Sequence, residues 1–390
     1  MVTKIAGKAT QAIHGRIDPT YRSAVYPLYQ TSTFGVERSE DYRRFFIDEE
    51  PDVYVYTRVH NPTVRNVEER LARLEYADDG VLFSSGMAAV SASVLAVAKA
   101  GETVVAVRPL YGGTYHFFTE VMPRFGIDLV MLDPDEVYEL ERYAPDAVAV
   151  FFETPANPTL LCISIPRAVQ AAKRVGALTI IDNTFASPIN QNPILHGVDI
   201  VLHSATKYIG GHSDVIAGAV LTRRDLIPAI RENLSVFGGC IAPFDAFLLD
   251  RSLKTLPLRV RQHNESAMML AEFFQRERRV QQVYYPGLPG TRDYAVASEQ
   301  MHGFGGMLAI DLKDGRAAMR FCDALEVGFN AVSLGGVETL ITIPAISTHA
   351  RVDPEEKRVA RILDGTVRIS VGLEDVEDLI ADFERGLAAV

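Results

Sequence analysis

The sequence contains no tryptophan and only three cysteines, Cys162, Cys240 and Cys322, which lie far apart in the chain. No two of them have the C-x-x-C spacing of a zinc or redox site. This pattern argues against a disulfide framework and a structural zinc site, so we expect no metal. It is typical of proteins from a reducing compartment, and we expect a cytoplasmic location.

Positive charge is also scarce, because 39 lysines and arginines face 50 aspartates and glutamates and leave a formal net charge of −11. This balance gives no electrostatic footprint for nucleic acid or for an anionic membrane, so an anionic ligand requires a local site. No run of about 18 apolar residues occurs, and no membrane-spanning helix is predicted. Residues 1–15 contain lysines but no apolar core of signal-peptide length.

Short apolar runs alternate with amphipathic runs over much of the 390 residues. Apolar, mostly β-branched runs predict strands at 80–83, 103–107, 129–132, 147–152, 178–181, 200–202 and 217–221. Helical spacing predicts helices at 63–74, 88–98, 115–125 and 166–175. Such alternation predicts an α/β fold with a mostly parallel sheet and helices on both faces.

The chain is predicted to divide into three parts. Residues 1–60 show little periodicity and many aromatics and prolines, so they must lie against the main domain or a second subunit, and we favour an arm that contacts a neighbouring subunit. Residues 61–250 form the predicted large, ligand-binding domain, followed by long helices broken at Pro257. Residues 251–390 predict a smaller C-terminal α+β domain, with strands at 307–312 and 366–371 and helices at 316–325 and 376–387.

Lys207 stands in the segment His-Ser-Ala-Thr-Lys-Tyr-Ile-Gly-Gly, just after the apolar run 198–202. Ligands of open α/β sheets bind in the crevice outside the carboxyl ends of the strands, so this lysine lies where a ligand is expected to bind. Desolvation there lowers the pKa of an amine from about 10.4 and makes it a nucleophile for carbonyl compounds. The competing interpretation is a surface lysine in a glycine loop.

Four further groups follow other predicted strands. Residues 84–87 (Ser-Ser-Gly-Met) open a helix and form a potential anion site, although Ser85 is equally a plain helix cap. Tyr111, on a glycine turn, offers an aromatic shelf, and Asn157 offers a side-chain donor. Asp182 ends a strand 25 positions before Lys207 and can pair with a protonated ring nitrogen. Together these parts fit pyridoxal phosphate.

These motifs, with Tyr-Thr-Arg at 56–58, resemble the Cys/Met-metabolism family of pyridoxal phosphate enzymes. That family includes cystathionine γ-synthases, cystathionine and methionine γ-lyases, and homoserine-ester sulfhydrylases. The resemblance extends from the N-terminal segment to Arg368. It implies the aspartate-aminotransferase-like (type I) fold and a homotetramer of two dimers whose active sites are shared between subunits.

The resemblance also implies roles for individual residues. Lys207 would hold the cofactor as a Schiff base, Asp182 would bond its ring nitrogen, and Tyr111 would stack on the ring. The other implied cofactor contacts are Ser85, Gly86, Met87, Asn157, Ser204 and Thr206, with Tyr56 and Arg58 from the neighbouring subunit. The implied substrate contacts are Arg368, which takes the α-carboxylate, Ser333 and Val332.

Three positions bear on the reaction. Val332 stands where members that handle cystathionine commonly have a glutamate, and His116 where they often have an arginine. Losing two charged groups favours methionine, homocysteine or a homoserine ester, whereas Gly113 replaces a cysteine common in methionine γ-lyases. We predict γ-elimination of methionine, homocysteine or cystathionine-type substrates to 2-oxobutanoate, ammonia and a thiol. The alternative is γ-replacement, as in cystathionine γ-synthases and O-acyl-homoserine sulfhydrylases, which would use the same residues.

A different class of enzyme also matches one motif. Residues 204–207 fit S-x-x-K, the nucleophile motif of serine acyl-enzymes. That class expects S-D-N and K-T-G elsewhere, but the chain has Ser-Asp-Val at 213–215 and Lys-Thr-Leu at 254–256. A short motif without its companions is weak support, so the serine acyl-enzyme is a remote alternative, and a non-catalytic binding module is a third.

Overall fold

The computed structural model describes residues 7–48, 50, 52–350 and 352–390. Residues 1–6, 49 and 51 of the predicted arm and residue 351 of the predicted C-terminal domain lie outside the described residues. The strands are β1 Asp79–Phe83, β2 Thr103–Val107, β3 Asp128–Leu132, β4 Ala147–Glu153, β5 Leu178–Asp182, β6 Ile200–His203, β7 Gly218–Thr222, β8 Gln282–Tyr284, β9 Met307–Asp311, β10 Phe329–Asn330, β11 Leu340–Thr342 and β12 Thr366–Ser370.

Helices connect and flank these strands. They are α1 Lys8–Ile13, α2 Glu40–Phe46, α3 Pro62–Glu75, α4 Gly86–Val97, α5 Gly112–His116, α6 Leu140–Tyr143, α7 Ile165–Val175, α8 Ser187–Asn190, α9 Ile227–Phe237, α10 Pro243–Leu253, α11 Leu256–Arg276, α12 Arg292–Gln300, α13 Gly315–Asp323, α14 Pro354–Val359 and α15 Val376–Ala388. A π-helical turn, Phe117–Val121, and the 3₁₀ turn Met122–Phe125 extend α5. The remaining 3₁₀ turns are Glu136–Glu139, Pro193–His196, Arg224–Leu226 and Pro344–Ile346.

Within the described residues, seven strands form one sheet in the order β1-β7-β6-β5-β4-β2-β3. Neighbours from β6 to β3 pair in parallel, and only β7 runs antiparallel to its two neighbours. The prediction of a mostly parallel sheet is therefore confirmed. Because all strands except β7 run in one direction, their carboxyl ends meet at the same edge of the sheet.

The sheet has a hydrophobic core on each face. Helices α3, α7 and α10 contribute to one core, and α4, α9 and the turn after α5 contribute to the other. In α3, the predicted periodic residues Val67, Leu71 and Leu74 are fully buried. Helices on both faces explain why the central strands are apolar along their whole length rather than alternating.

A second sheet lies toward the C-terminus, in the order β10-β11-β12-β9-β8. Helix α11 belongs to both cores, because Leu256 and Val260 pack with the first sheet and Leu270 and Phe274 pack with the second. The predicted boundary at 250/251 falls inside α10. Buried residues of α10, including Leu249 and Leu253, belong to the core of the large sheet.

Several elements differ from the predictions. Residues 1–60 were expected to lack regular structure, but α1 and α2 lie there, and Ala12 of α1 is fully buried. The helix expected at 115–125 begins three residues earlier, at Gly112, because the glycines after Tyr111 already form its first turn. The short strands β8, β10 and β11 and helices α9, α12 and α14 were not predicted. Among the described residues, no helix is long and apolar enough to cross a membrane.

Candidate active site

Lys207 lies in the tight loop after β6, at the carboxyl edge of the large sheet. Its backbone carbonyl accepts the Gly211 N–H at 2.7 Å, and its Nζ donates to Ser333 Oγ at 2.7 Å. Burial, and secondarily the positive charge of Arg368, lowers the pKa of Lys207 to about 8. The lowered amine pKa expected from the sequence is confirmed, so a share of the amine is neutral and nucleophilic near neutral pH.

Two carboxyl side chains end the neighbouring strands β4 and β5. Glu153 and Asp182 are partners in the strand register, and both line the cavity that contains Lys207. Asp182 Oδ1 accepts the Thr184 N–H at 2.9 Å. Burial raises the pKa of Asp182, and the hydrogen bonds from Thr184 and the charge of His203 oppose this effect. The carboxylate predicted at the end of β5 therefore faces the pocket.

The N-terminus of α4 forms another wall of the cavity. Ser85 is the N-cap, and its Oγ accepts the Ala88 N–H at 3.1 Å, so this serine does cap the helix. The same turn also lines the cavity with Ser85, Gly86 and Met87, beside Ser204. A Cβ on Gly86 would lie 3.0 Å from Ser204 Cβ, so only glycine lets these two loops approach without a shift. Backbone N–H groups and the helix dipole make this corner suitable for an anion.

A backbone hydrogen bond holds Tyr111 at the cavity. Its N–H donates to Glu153 Oε1 at 2.8 Å, and its side chain is 44% exposed in the single chain. A Cβ on Gly113 would lie 2.7 Å from Tyr111 Cε1 and 3.1 Å from Met87 Sδ. The absence of a side chain at Gly113 therefore sets how close the tyrosine ring lies to the start of α5.

Arg368 enters the cavity from the second sheet, on β12. Its Nη1 donates to Asn157 Oδ1 at 3.1 Å, and its Nη2 donates to the carbonyl of Ser333 at 2.8 Å. Burial lowers the pKa of Arg368 to about 10, which leaves the guanidinium charged at neutral pH. Ser333 has a left-handed backbone, with φ of 84°, a conformation that costs a non-glycine residue about 1–3 kcal/mol and concentrates at functional sites.

Two apolar residues of the cavity lining, Ile216 and Val332, are 67% and 58% exposed, and we call this exposed apolar part the mouth. Ser347 and Thr348 also line the cavity. His116 is exposed and is not part of the cavity wall.

Tyr56 and Arg58 also lie away from the cavity of their own chain. Arg58 Nη1 instead donates to the carbonyl of Ser235 at 2.6 Å. The other cavity residues predicted from the sequence are brought together: Ser85, Gly86, Met87, Tyr111, Asn157, Asp182, Ser204, Thr206, Lys207, Val332, Ser333 and Arg368.

The cavity suits pyridoxal phosphate in size and chemistry. Its volume of about 620 Å³ is in the range of small-molecule sites. It combines an anion corner at α4, a buried carboxylate at Asp182 and a mostly buried amine at Lys207, which are the groups that this cofactor requires. Arg368 Nε is buried without a hydrogen-bond partner among the described residues, so a donor remains for a carboxylate ligand.

Several cavity residues are not predicted from the sequence, and Glu153 and Thr184 are the two with polar contacts inside the site. Glu153 directly follows the predicted strand 147–152 and is not among the predicted site residues, although it ends β4 just as Asp182 ends β5. Thr184 Oγ1 accepts the Ser204 N–H at 2.8 Å and so ties the loop after β5 to the loop that carries Lys207. The position of Glu153 at the end of an apolar strand was the available signal. The contact of Thr184 depends on the packing of two loops and has no local signal.

Comparison with known proteins gives full-length matches. The family model described as Cys/Met metabolism PLP-dependent enzyme matches residues 9–388. The chain is 41% identical over 396 residues to an L-methionine gamma-lyase of Fusobacterium nucleatum subsp. nucleatum, covering 100% of both chains. It is 40% identical over 382 residues to a cystathionine beta-lyase of Lactococcus lactis subsp. cremoris, covering 97% of this chain and 98% of the relative.

A solved structure gives the same result for the fold. Cystathionine gamma synthase from Xanthomonas oryzae pv. oryzae, in complex with aminoacrylate and cysteine, superposes with a TM-score of 0.92. It is 38% identical and covers 99% of each chain. These matches confirm the predicted type I fold and disfavour the serine acyl-enzyme alternative. In line with this, the amine of Lys207 bonds to Ser333, which lies outside the S-x-x-K motif.

Proposed function

The chain belongs to the Cys/Met-metabolism family of enzymes that depend on pyridoxal phosphate, and we propose that it catalyses γ-elimination of methionine-type amino acids. With methionine, the products would be 2-oxobutanoate, ammonia and methanethiol, with one water consumed. The observation that carries this proposal is the cavity itself, where Lys207, Asp182 and Arg368 converge behind an apolar mouth. Full-length relatives at about 41% identity are methionine γ-lyases.

The residues that would hold the cofactor follow from the positions of the cavity walls. Lys207 would provide the amine for the Schiff base, and Asp182 would bond the ring nitrogen. Tyr111 would stack on the ring, and Asn157 would face the ring hydroxyl. The phosphate would lie at the start of α4, against Ser85, Gly86, Met87, Ser204 and Thr206. When bound, pyridoxal phosphate supplies an electron sink for the bonds at Cα.

The substrate would be oriented by Arg368 and Ser333. A guanidinium can hold a carboxylate with two parallel hydrogen bonds, and Arg368 is already fixed by Asn157 and by the Ser333 carbonyl. The substrate side chain would then extend toward Val332. Because that residue is apolar, a methylthio group is accommodated there at a lower desolvation cost than a second charged end.

Lys207 and Tyr111 would transfer the protons in this reaction. Near neutral pH a share of the Lys207 amine is neutral, so it can take the proton from Cα and return it further along the substrate. The Tyr111 hydroxyl would donate a proton to the departing sulfur.

The second candidate is γ-replacement, in which a thiol enters where water would otherwise complete the elimination. The structural match to a cystathionine gamma synthase supports this second candidate. Every residue assigned above would serve this reaction equally. The two candidates therefore differ in the nucleophile and in the leaving group.

We also propose a homotetramer of two dimers, located in the cytoplasm. In this assembly Tyr56 and Arg58 of a second subunit would contact the phosphate, which fits their position outside the cavity of their own chain. The cysteines Cys162, Cys240 and Cys322 are unpaired, which suits a reducing compartment. We retain the division into an arm (1–60), a cofactor domain (61–250) and a C-terminal domain (251–390) as part of this proposal.

The test supplies methionine, cystathionine and O-acetylhomoserine separately, with and without an added thiol, and measures release of 2-oxobutanoate. Rapid release from methionine alone would support γ-elimination. Release only from the homoserine ester, suppressed by thiol, would assign γ-replacement. The Lys207→Ala variant is the control, because it should lose turnover and the yellow colour of the bound cofactor while keeping its fold.

A further inference from the structure

Glu153 is a buried carboxyl in the cavity that the proposed mechanism does not use. It ends β4, is 5% exposed, and lies opposite Asp182 in the strand register. Among the described residues, the charged side chains that line this cavity are Glu153, Asp182, Lys207 and Arg368. A charged residue is rarely placed in such a position without a partner or a function.

The contact of Glu153 is with the segment that carries Tyr111. Glu153 Oε1 accepts the Tyr111 N–H at 2.8 Å. Tyr111 is the residue immediately before α5, so this hydrogen bond fixes both the start of that helix and the base of the tyrosine side chain. Loss of the acceptor would leave a backbone N–H unsatisfied at the cavity wall.

Two ionised carboxylates on neighbouring buried strand ends would repel each other, so one of them must hold a proton. The hydrogen bonds from Thr184 and the positive charge of His203 both favour the ionised form of Asp182, whereas no cationic group among the described residues favours ionised Glu153. Burial, and then the charge of Asp182, raises the pKa of Glu153 well above its usual range, against the opposing hydrogen bonds from the Tyr111 and Asn157 backbone. The proton therefore belongs on Glu153.

We propose that Glu153 is a positioning residue that remains neutral and holds the Tyr111 backbone, so that Tyr111 would cover the cofactor ring while Asp182 would be the single carboxylate available to the ring nitrogen. In this arrangement the protonated carboxyl acts as an amide-like group, with one oxygen accepting the Tyr111 N–H. The inference rests on the assignment of pyridoxal phosphate to this cavity.

The test compares Glu153→Gln with Glu153→Ala, and uses Glu136→Ala as the matched control. Glu136 Oε2 also accepts a backbone N–H, that of Asp133 at 2.7 Å, but lies outside the cavity. Three quantities are measured: the dissociation constant of pyridoxal phosphate from the apoprotein, the visible circular dichroism of the bound cofactor, and the infrared band of a protonated carboxyl in the loaded protein.

Glutamine is isosteric with the neutral acid, so Glu153→Gln should bind the cofactor within about twofold of the wild type and keep its dichroism, while the protonated-carboxyl band disappears. Glu153→Ala should bind about tenfold more weakly, with altered dichroism, because one buried N–H loses its acceptor. The Glu136→Ala control should match the wild type in all three measurements.

Two results would overturn the proposal. If Glu153→Gln binds as weakly as an alanine variant, or leaves the infrared band unchanged, Glu153 does not act as a neutral acid. If Glu153→Ala matches the wild type in affinity and dichroism, Glu153 does not position Tyr111. An alanine variant that fails to fold leaves the glutamine measurements decisive. A wild-type apoprotein that does not turn yellow with pyridoxal phosphate would instead refute the cofactor assignment.

Discussion

Replacing Lys207 by methionine should make the cofactor-free protein more stable at neutral pH, although it removes the residue proposed to hold the cofactor. Methionine has a similar length and volume but no charge to desolvate. The pKa of Lys207 is lowered from 10.5 to about 8, chiefly by burial. At about 1.4 kcal/mol per pKa unit, this corresponds to about 3 kcal/mol that the charged amine costs the folded state. Loss of the hydrogen bond to Ser333 destabilises the variant by about 1 kcal/mol. The free energy of unfolding of the cofactor-free variant should therefore exceed that of the wild type by about 2 kcal/mol.

The sign of this effect changes with pH. A lysine whose folded-state pKa is depressed favours the unfolded state, because the unfolded chain binds the proton more tightly. The full cost is present below pH 8 and disappears as the pH rises from about 8 to 10.5. The advantage of Lys207→Met should therefore be largest near pH 7 and fall to zero before pH 10.5. Above that pH the variant should be slightly less stable, because only the lost hydrogen bond remains.

The assay is urea unfolding of both cofactor-free proteins between pH 7 and pH 10, followed by circular dichroism. When the free energy of unfolding of the wild type is subtracted from that of the variant, the contributions of all other titrating groups cancel. Lys173→Met serves as the control, because Lys173 is exposed and its replacement should change the free energy of unfolding little. A Lys207→Met variant that is less stable at pH 7, or a stability difference independent of pH, would refute the reasoning.

Three further predictions concern residues in or beside the cavity. Arg368→Lys should raise the KM for methionine about 10- to 100-fold while changing cofactor affinity little, because lysine cannot form the bidentate contact. An unchanged KM would remove Arg368 from the carboxylate site. Gly113→Ala should lower kcat several-fold and alter the dichroism of the bound cofactor, because its Cβ would force Tyr111 away from a contact of 2.7 Å. Wild-type kcat and dichroism would show that the ring position is unimportant. Val332→Glu should raise kcat/KM for cystathionine relative to methionine about tenfold, and a constant ratio would contradict the role of the apolar mouth.

The fold was largely predictable because its signals are local. The observed bounds of β2, Thr103–Val107, are the predicted ones, and Val67, Leu71 and Leu74 are buried as their spacing indicates. Strands in the centre of a parallel sheet are covered on both faces, so each is a continuous apolar run that ends abruptly. The same abrupt ends identify Asp182 and the segment before Lys207. For this reason a large share of the candidate site was also predictable.

What was not predictable depends on contacts between distant segments. Ser333 lies 126 positions from Lys207 and meets it only because the second sheet packs at the carboxyl edge of the first. The roles of Ser333 and Arg368 were therefore available only through family resemblance. Helix α1 was missed because its stability comes from burial of Ala12 against α3 rather than from a hydrophobic periodicity of its own.

Several unfavourable arrangements occur together in this one cavity. Lys207 is charged and desolvated, Arg368 keeps a buried donor without a partner, Ser333 has a left-handed backbone, and Glu153 adjoins Asp182. The proposed ligands would relieve three of these arrangements, those at Lys207, Asp182 and Arg368. A Schiff base would remove the free amine of Lys207, a ring N–H would neutralise Asp182, and a carboxylate would satisfy Arg368. The cavity is thus complementary to a bound cofactor and amino acid, and binding of the cofactor should raise the stability of the protein by mass action.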